Sequence, residues 1–220
     1  MTYQDTWNKK LRKLDIKPSI QFSQHNEESI VDALFSVCLP QNKWCLEVGA
    51  QDGIDLSNTR KLILNGWKAL LIEHEKSFFD KLVENYKYSP NVYPVFKKVG
   101  RGYFNDGTGL QEIMKEYSVP LDIDFVSIDV DSYDYELLRC LFNNNIKPNV
   151  VCIECNPMEE NFTVVNYDPS YSVDKRHISY GGATVGLLNR LAEENGYELV
   201  CVDVCNAIYI KKDFAQPLYD

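Results

Sequence analysis

The sequence predicts an α/β domain built on a mostly parallel β-sheet whose last strand is antiparallel. Short apolar runs alternate with helical periods from Trp44 to Cys155, which is typical of parallel strands joined by helices. Two final apolar runs, YELVCVDV and NAIYIKKD, are separated by a short turn at Cys205-Asn206 and predict a β-hairpin. The 220 residues are 45% hydrophobic, which suits one domain spanning residues 1–220 with a well-filled core.

The predicted elements follow in chain order. Thr6–Lys13 has a weak helical period and Glu27–Cys38 a stronger one, so residues 1–40 are expected to hold N-terminal helices. Strands and helices then alternate: the strands KWCLEVG, WKALLIE, NVYPVF, DFVSIDV and NVVCIEC, with helices around Ser57–Leu64, Ser77–Tyr86, Leu110–Tyr117 and Tyr135–Phe142. A helix around Thr184–Glu194, ended by Asn195-Gly196, precedes the hairpin.

The charge and composition of the chain indicate which classes of binding partner and which cell compartment to expect. The formal net charge is −9 and the pI about 4.9, which disfavours a nucleic-acid or anionic-membrane partner. The apolar stretches are shorter than the roughly 20 residues of a membrane span, and the polar N-terminus does not read as a secretion signal. Seven scattered cysteines, an odd number, are typical of reduced thiols, so a cytoplasmic location is expected.

Cys152 and Cys155 form a CxxC within the apolar run VVCIEC. On a strand, positions i and i+3 point to opposite faces, so the two thiols cannot share a metal there. They are predicted to be core cysteines.

The run CLEVGAQDG indicates a ligand-binding loop at a strand end. Glu47 ends the apolar strand, Gly49 allows a tight turn, and Gly53 keeps the start of the predicted helix close. A pyrophosphate site requires glycine at three positions, whereas Gln51 occupies the middle position here and Asp52 would oppose a phosphate. The loop is compatible with a cationic sulfonium ligand that bears an amino group, although a plain tight turn explains the glycines as well.

Glu73 ends the next strand, WKALLIE, where an acid can accept both hydroxyls of a ribose. A solvated carboxylate at a strand end is the alternative. In combination with the preceding loop, Glu73 favours an adenosine-type cofactor.

Acids gather at the ends of two later strands. Strand alternation predicts that Asp129 and Asp131 lie on the same side, and this suggests a general base, a divalent cation or recognition of amines and hydroxyls. Glu154 and Asn156 follow the next strand. The four residues form a candidate oxygen-ligand set for Mg²⁺ or Ca²⁺. Asp134 and Glu136, by contrast, are interpreted as charges that the N-terminal dipole of a helix favours.

These motifs together resemble the FkbM-type methyltransferase family, from about Phe22 to Phe214. The resemblance rests on the following runs: EVGAQDG, SNTRKLILNGWKALLIE, DFVSIDVDSYDYELL, VVCIECNP and YGGATVGLLNRLAEENGYELV. It implies a class I methyltransferase fold, a Rossmann-like three-layer sandwich with a mostly parallel seven-stranded sheet and an antiparallel last strand. It also assigns roles: Glu47, Gly49 and Gly53 to the cofactor loop, Glu73 to the ribose, Asp129 to the catalytic edge, and Ser23-Gln24 to a further cofactor contact.

Residues 156–180 form a long aromatic and polar stretch, which is typical of a substrate lid. His177 is the histidine best placed there to act as a base, although a solvated loop histidine is the more common case. Lys175 and Arg176 are candidates to hold an anionic group of the substrate, and Tyr180 offers a ring for stacking. A solvated basic pair and simple loop packing are the respective alternatives.

The sequence therefore predicts an S-adenosylmethionine-dependent methyltransferase that O-methylates a hydroxyl on a small molecule or sugar, with Asp129 or His177 as base and a Mg²⁺ requirement left open. Three alternatives remain: an N-methyltransferase acting on an amine, an NAD-dependent Rossmann oxidoreductase, and a catalytically silent cofactor-binding module. The missing glycines and the final hairpin argue against the oxidoreductase.

Overall fold

Seven strands form one mixed sheet in the computed structural model, which describes residues 3–99, 109–131, 133–157 and 182–219. The strands are β1 Trp44–Val48, β2 Lys68–Glu73, β3 Val92–Phe96, β4 Phe125–Ile128, β5 Val150–Glu154, β6 Tyr197–Asp203 and β7 Asn206–Lys211. Their order across the sheet is β3-β2-β1-β4-β5-β7-β6. Strands β1 to β5 pair in parallel, whereas β7 is antiparallel to both neighbours. The predicted sheet and its hairpin are confirmed.

Helices cover both faces of the sheet. They are α1 Tyr3–Thr6, α2 Glu27–Val37, α3 Arg60–Leu64, α4 Lys76–Tyr86, α5 Leu110–Glu116, α6 Asp134–Asn143 and α7 Val185–Glu194, followed by a 3₁₀ turn at Gln216–Leu218. One apolar cluster packs α5, α6 and α7 against one face, and a second packs α2, α3 and α4 against the other. The result is a three-layer arrangement in which successive strand residues enter alternate cores.

Two predicted helices are wrong in extent. The helix predicted at Thr6–Lys13 is replaced by a short α1 that ends at Thr6, because the following segment bonds to β6 instead of to itself. The Thr6 hydroxyl donates to the Val202 carbonyl at 2.8 Å, and the side-chain amide of Asn8 donates to the Leu199 carbonyl at 2.8 Å. The helix predicted at Ser57–Leu64 begins only at Arg60, because the preceding residues are bonded to a side chain of β1.

All seven cysteines are free, and six of them are buried. Cys152 packs in the core on the α2 side of the sheet, whereas Cys155 packs in the core on the α6 side. The prediction that this pair belongs to the core is confirmed. No helix among the described residues has the length and apolar character needed to cross a bilayer.

The strand order reverses between β1 and β4, which lie side by side although two strands separate them in the chain. In open α/β sheets the crevice at such a reversal, beyond the carboxyl ends of the strands, is where ligands bind. The loops after β1 and β4 therefore define the edge at which a site is expected.

Candidate functional site

Gly49 brings the loop after β1 into backbone contact with β4. Its φ is +87°, and a β-carbon at this position would lie 1.8 Å from the carbonyl oxygen of Asp129. The Asp129 amide in turn donates to the Val48 carbonyl at 3.0 Å. A side chain at Gly49 would push the two strand ends apart, so glycine is required for this edge to close.

Gly53 lies against α4. Its φ is +74°, and a β-carbon there would lie 2.5 Å from side-chain atoms of both Leu82 and Tyr86. The Tyr86 hydroxyl donates to the Gly53 carbonyl at 2.5 Å. Burial raises the pKa of Tyr86 to about 12, so it remains a neutral donor. Gln51, between the two glycines, adopts a left-handed φ of +47°.

Glu47 is buried beneath this loop and binds the polar segment that follows it. Its carboxylate accepts hydrogen bonds from the Ser57 hydroxyl at 2.8 Å, the Thr59 hydroxyl at 2.6 Å and the Asn58 amide at 2.7 Å. Burial raises the pKa of Glu47 to about 7, and the three donors limit the rise. Glu47 therefore fixes the segment at residues 57–59 to the end of β1.

Glu73 lies at the carboxyl end of β2, where its carboxylate gathers three backbone amides. Oε2 accepts from Gln51 at 2.8 Å, and Oε1 accepts from His74 at 2.7 Å and from Glu75 at 2.6 Å. The acid thereby fixes the loop after β1 to the end of β2. Because each carboxylate oxygen offers about two acceptor positions, Oε2 keeps capacity for one further donor, such as a ribose hydroxyl.

Asp129, Asp131 and Glu154 form a half-buried cluster at the ends of β4 and β5. Each offers one carboxylate oxygen, and these oxygens lie within 4.8 Å of one another. Strand alternation does not explain why Asp129 and Asp131 lie close together, because β4 ends at Ile128 and Asp131 has a left-handed φ of +61°. A turn therefore brings the two aspartates together. Oxygens at this spacing fit a hard divalent cation.

Asn156 lies two residues beyond Glu154, and its backbone pairs with the segment before α7. Its amide donates to the Ala183 carbonyl at 2.9 Å, and its carbonyl accepts from the Val185 amide at 2.9 Å. Asn156 is thus fixed at the same edge as the three acids.

Asp134 is a buried acid beside this cluster, in the first turn of a helix as predicted. The residue does begin α6, as expected, but it is fully buried. Burial, and secondarily the nearby Asp129 carboxylate, raise its pKa to about 8. The rise favours the protonated form of this carboxyl. Glu136, in the same turn, pairs with Arg139 at 2.5 Å.

The segment before α2 folds over the same edge and carries Gln24. Three acids hold it: Glu28 accepts from the amides of Gln21 and Phe22, both at 2.9 Å, and Asp203 accepts from the Asn26 amide at 2.6 Å. The third, Glu27, accepts from the side chain of Asn206 and from the backbone amide of His25. The Cys205 thiol donates to the side-chain oxygen Oε1 of Gln24 at 3.5 Å, at the turn between β6 and β7.

The structure brings the glycine loop, Glu73 and the acid cluster to one edge of the sheet. His177, Lys175, Arg176 and Tyr180 lie outside the described residues, as does most of the predicted lid at 156–180. Sequence reasoning missed the support that Ser57, Asn58 and Thr59 give to Glu47. The signal was a run of three short polar side chains, which commonly bond to nearby backbone and end a loop.

No protein-family model and no curated protein matches the chain. Among solved structures, the N-terminal domain of EvdMO1 with SAH bound is similar, at 15% identity and a TM-score of 0.52, over 86% of this chain and 82% of that one. Magnesium protoporphyrin IX methyltransferase (ChlM) from Synechocystis PCC 6803 matches at 11% identity and a TM-score of 0.48, over 83% and 76% of the two chains. A putative RNA methyltransferase, PH1948 from Pyrococcus horikoshii, matches at 14% identity and a TM-score of 0.48, over 92% and 94%. The chain has the class I, Rossmann-like methyltransferase fold.

Proposed function

We propose that this chain is an S-adenosylmethionine-dependent methyltransferase of the FkbM type that methylates a hydroxyl on a small molecule or sugar. One observation carries the proposal: a glycine loop, a buried acid on the next strand and an acid cluster meet where the strand order reverses. The cofactor's sulfonium is a cation and its ribose is a diol. Both suit an edge rich in carboxylates.

The loop also argues against a dinucleotide. A pyrophosphate binds the N-terminus of a helix that opens directly from the glycine loop. Here turns occupy the described residues between Gly49 and Thr59, and α3 begins at Arg60. In addition, the Asp52 carboxylate already accepts from the amides of Ile54 and Asp55, both at 2.9 Å. A phosphate would meet this negative charge, whereas a sulfonium ligand would be attracted by it.

In the proposed site, Gly49, Gln51 and Gly53 form the floor beneath the cofactor, Gln24 contacts it from the N-terminal segment, and Glu73 accepts a ribose hydroxyl. The bound cofactor supplies the methyl group on a good leaving group. The chain aligns the acceptor and excludes water. Asp129 accepts the proton of the acceptor hydroxyl as the methyl group transfers.

A divalent cation such as Mg²⁺ is proposed at the acid cluster, held by Asp129, Asp131 and Glu154, with Asn156 as a further oxygen ligand. It would lower the cost of removing the hydroxyl proton. The spacing of the three carboxylates supports this site. His177 remains a proposed alternative base, and Lys175, Arg176 and Tyr180 remain proposed acceptor contacts.

The test is transfer of a labelled methyl group from S-adenosylmethionine to a panel of sugars, phenols and amines, with Mg²⁺ or with a chelator. Label in hydroxyl-bearing acceptors, lost on chelation, is the expected result. Label in amines alone would show an N-methyltransferase, which the same carboxylates would suit. Cofactor binding without transfer to any acceptor would favour a silent module.

A further inference from the structure

Asn206 is the first residue of β7 and lies at the same edge of the sheet as the acid cluster. It is directly opposite Glu154 in the antiparallel pairing of β7 with β5. The backbone amide of Cys155 donates to the Cys205 carbonyl at 2.7 Å, which fixes the alignment of the two strand ends. Residues directly opposite each other in a ladder project to the same face, with Cβ atoms about 4.5–5.5 Å apart. Asn206 therefore lies beside one of the three clustered carboxylates.

The side chain of Asn206 is buried and held in one orientation. It is 2% exposed, and its nitrogen Nδ2 donates to Oε1 of Glu27 at 2.7 Å. Glu27 is itself fully buried in the first turn of α2. The reverse orientation would bring the carbonyl oxygen of Asn206 against this carboxylate, where neither group could donate. The hydrogen bond therefore leaves the carbonyl oxygen Oδ1 on the side of the amide away from Glu27.

The Oδ1 atom of Asn206 is an unfilled acceptor. It is buried and has no hydrogen-bond partner among the residues that the structure describes. Buried polar atoms normally have a partner, because an unpaired one loses its bonds to water without replacement. A ligand is therefore expected to supply the missing partner.

The groups around Asn206 indicate which ligand fits. Asp129, Asp131 and Glu154 each offer one carboxylate oxygen, and these oxygens lie within 4.8 Å of one another. Mg²⁺ and Ca²⁺ bind carboxylate oxygens together with the carbonyl oxygens of asparagine side chains. A divalent cation thus accounts both for the grouped carboxylates and for the unfilled oxygen beside Glu154.

We propose that Oδ1 of Asn206 is an oxygen ligand of the divalent cation at the acid cluster, and that the hydrogen bond to Glu27 holds its carboxamide in position. This inference rests on the cation of the proposed function. It makes the terminal hairpin part of the site, together with the segments that follow β4 and β5.

The test uses Mn²⁺ as the probe, because it takes the same oxygen ligands as Mg²⁺ and its binding is followed by electron paramagnetic resonance. Titration of the purified chain gives a dissociation constant without any turnover. Asn206→Ala should raise this constant about 10-fold or more, because one ligand is lost. Asn206→Asp also loses the donor to Glu27 but keeps an oxygen at this position, so it should bind Mn²⁺ at least as tightly as the wild-type chain.

Asn149→Ala is the matched control. Asn149 is 2% exposed, and its Nδ2 donates to the buried Asp124 at 2.8 Å, but it precedes β5 and so lies at the opposite end of this strand. The control removes the same kind of hydrogen bond between an asparagine and a buried acid. It should leave the dissociation constant of Mn²⁺ unchanged. If Asn206→Ala does not fold, the comparison of Asn206→Asp with the wild-type chain decides.

Unchanged Mn²⁺ affinity in Asn206→Ala would mean that a water molecule fills the acceptor, and the assignment would be overturned. Equal losses in Asn206→Ala and Asn206→Asp would overturn it too, because they would show that only the hydrogen bond to Glu27 matters. S-adenosylhomocysteine is titrated into the same wild-type preparation. Binding of S-adenosylhomocysteine without binding of Mn²⁺ would refute the cation site and leave the proposed methyltransferase function standing. Binding of Mn²⁺ alone would refute that function instead, and the Mn²⁺ affinities of the variants would still decide the role of Asn206.

Discussion

Replacing Glu47 with glutamine tests how the loop after β1 is supported. The buried carboxyl has a pKa raised from 4.5 to about 7, because burial outweighs the three hydrogen bonds that it accepts. Between these two values the folded state keeps a proton that the unfolded state releases. The stabilisation that this proton provides is therefore complete below the pKa of the unfolded state. It is lost as the pH rises through the pKa of the folded state. At about 1.36 kcal/mol per pH unit, the loss amounts to about 3 kcal/mol.

Glu47→Gln has no such proton, so it isolates the effect of this residue from that of Asp134, whose raised pKa acts in the same direction. Urea unfolding of both proteins between about pH 5 and pH 8 gives the free energy of unfolding at each pH. We expect the wild-type value minus the variant value to fall by about 2.5 kcal/mol across this range, since part of the loss already lies below pH 5. A difference that is flat, or that rises with pH, would mean that the three donors keep Glu47 ionised, and the reasoning would be refuted.

Three further substitutions test the edge. Gly49→Ala should lower the free energy of unfolding by more than about 3 kcal/mol, because its β-carbon meets the Asp129 carbonyl. The control Gly66→Ala, with a similar φ of +84° and open space around it, should lower it by about 1 kcal/mol. Equal losses for the two variants would contradict this explanation. Glu73→Gln should weaken S-adenosylhomocysteine binding about 10-fold or more in calorimetry, and the nearby Glu75→Gln should change it about twofold at most. Asp129→Asn should lower the methyl-transfer rate about 100-fold or more while cofactor binding is kept, and a full rate would exclude it as the base.

Most of the sheet was predictable because its strands are apolar runs bounded by polar residues. The terminal hairpin follows from two such runs and a short turn. The position of Glu73 at the end of β2 also follows, since the apolar run before it ends there. Strand boundaries and the residues that follow them are local features, and the sequence therefore predicts them.

Features that depend on contacts between residues far apart in the chain could not be predicted from the sequence. Thr6 and Asn8 form no long helix because β6, almost 200 residues later, supplies their partners. The sequence predicts Asp134 at the start of a helix, but not its burial, which together with the nearby Asp129 raises its pKa. Periodicity contains none of this information.

The central claim is that the edge beyond β1, β2 and β4 binds S-adenosylmethionine. Calorimetric titration of the purified chain with S-adenosylhomocysteine, beside an identical titration with NAD, tests it most directly. We expect saturable one-to-one binding of S-adenosylhomocysteine and no heat of binding with NAD. Binding of NAD without binding of S-adenosylhomocysteine would contradict the claim.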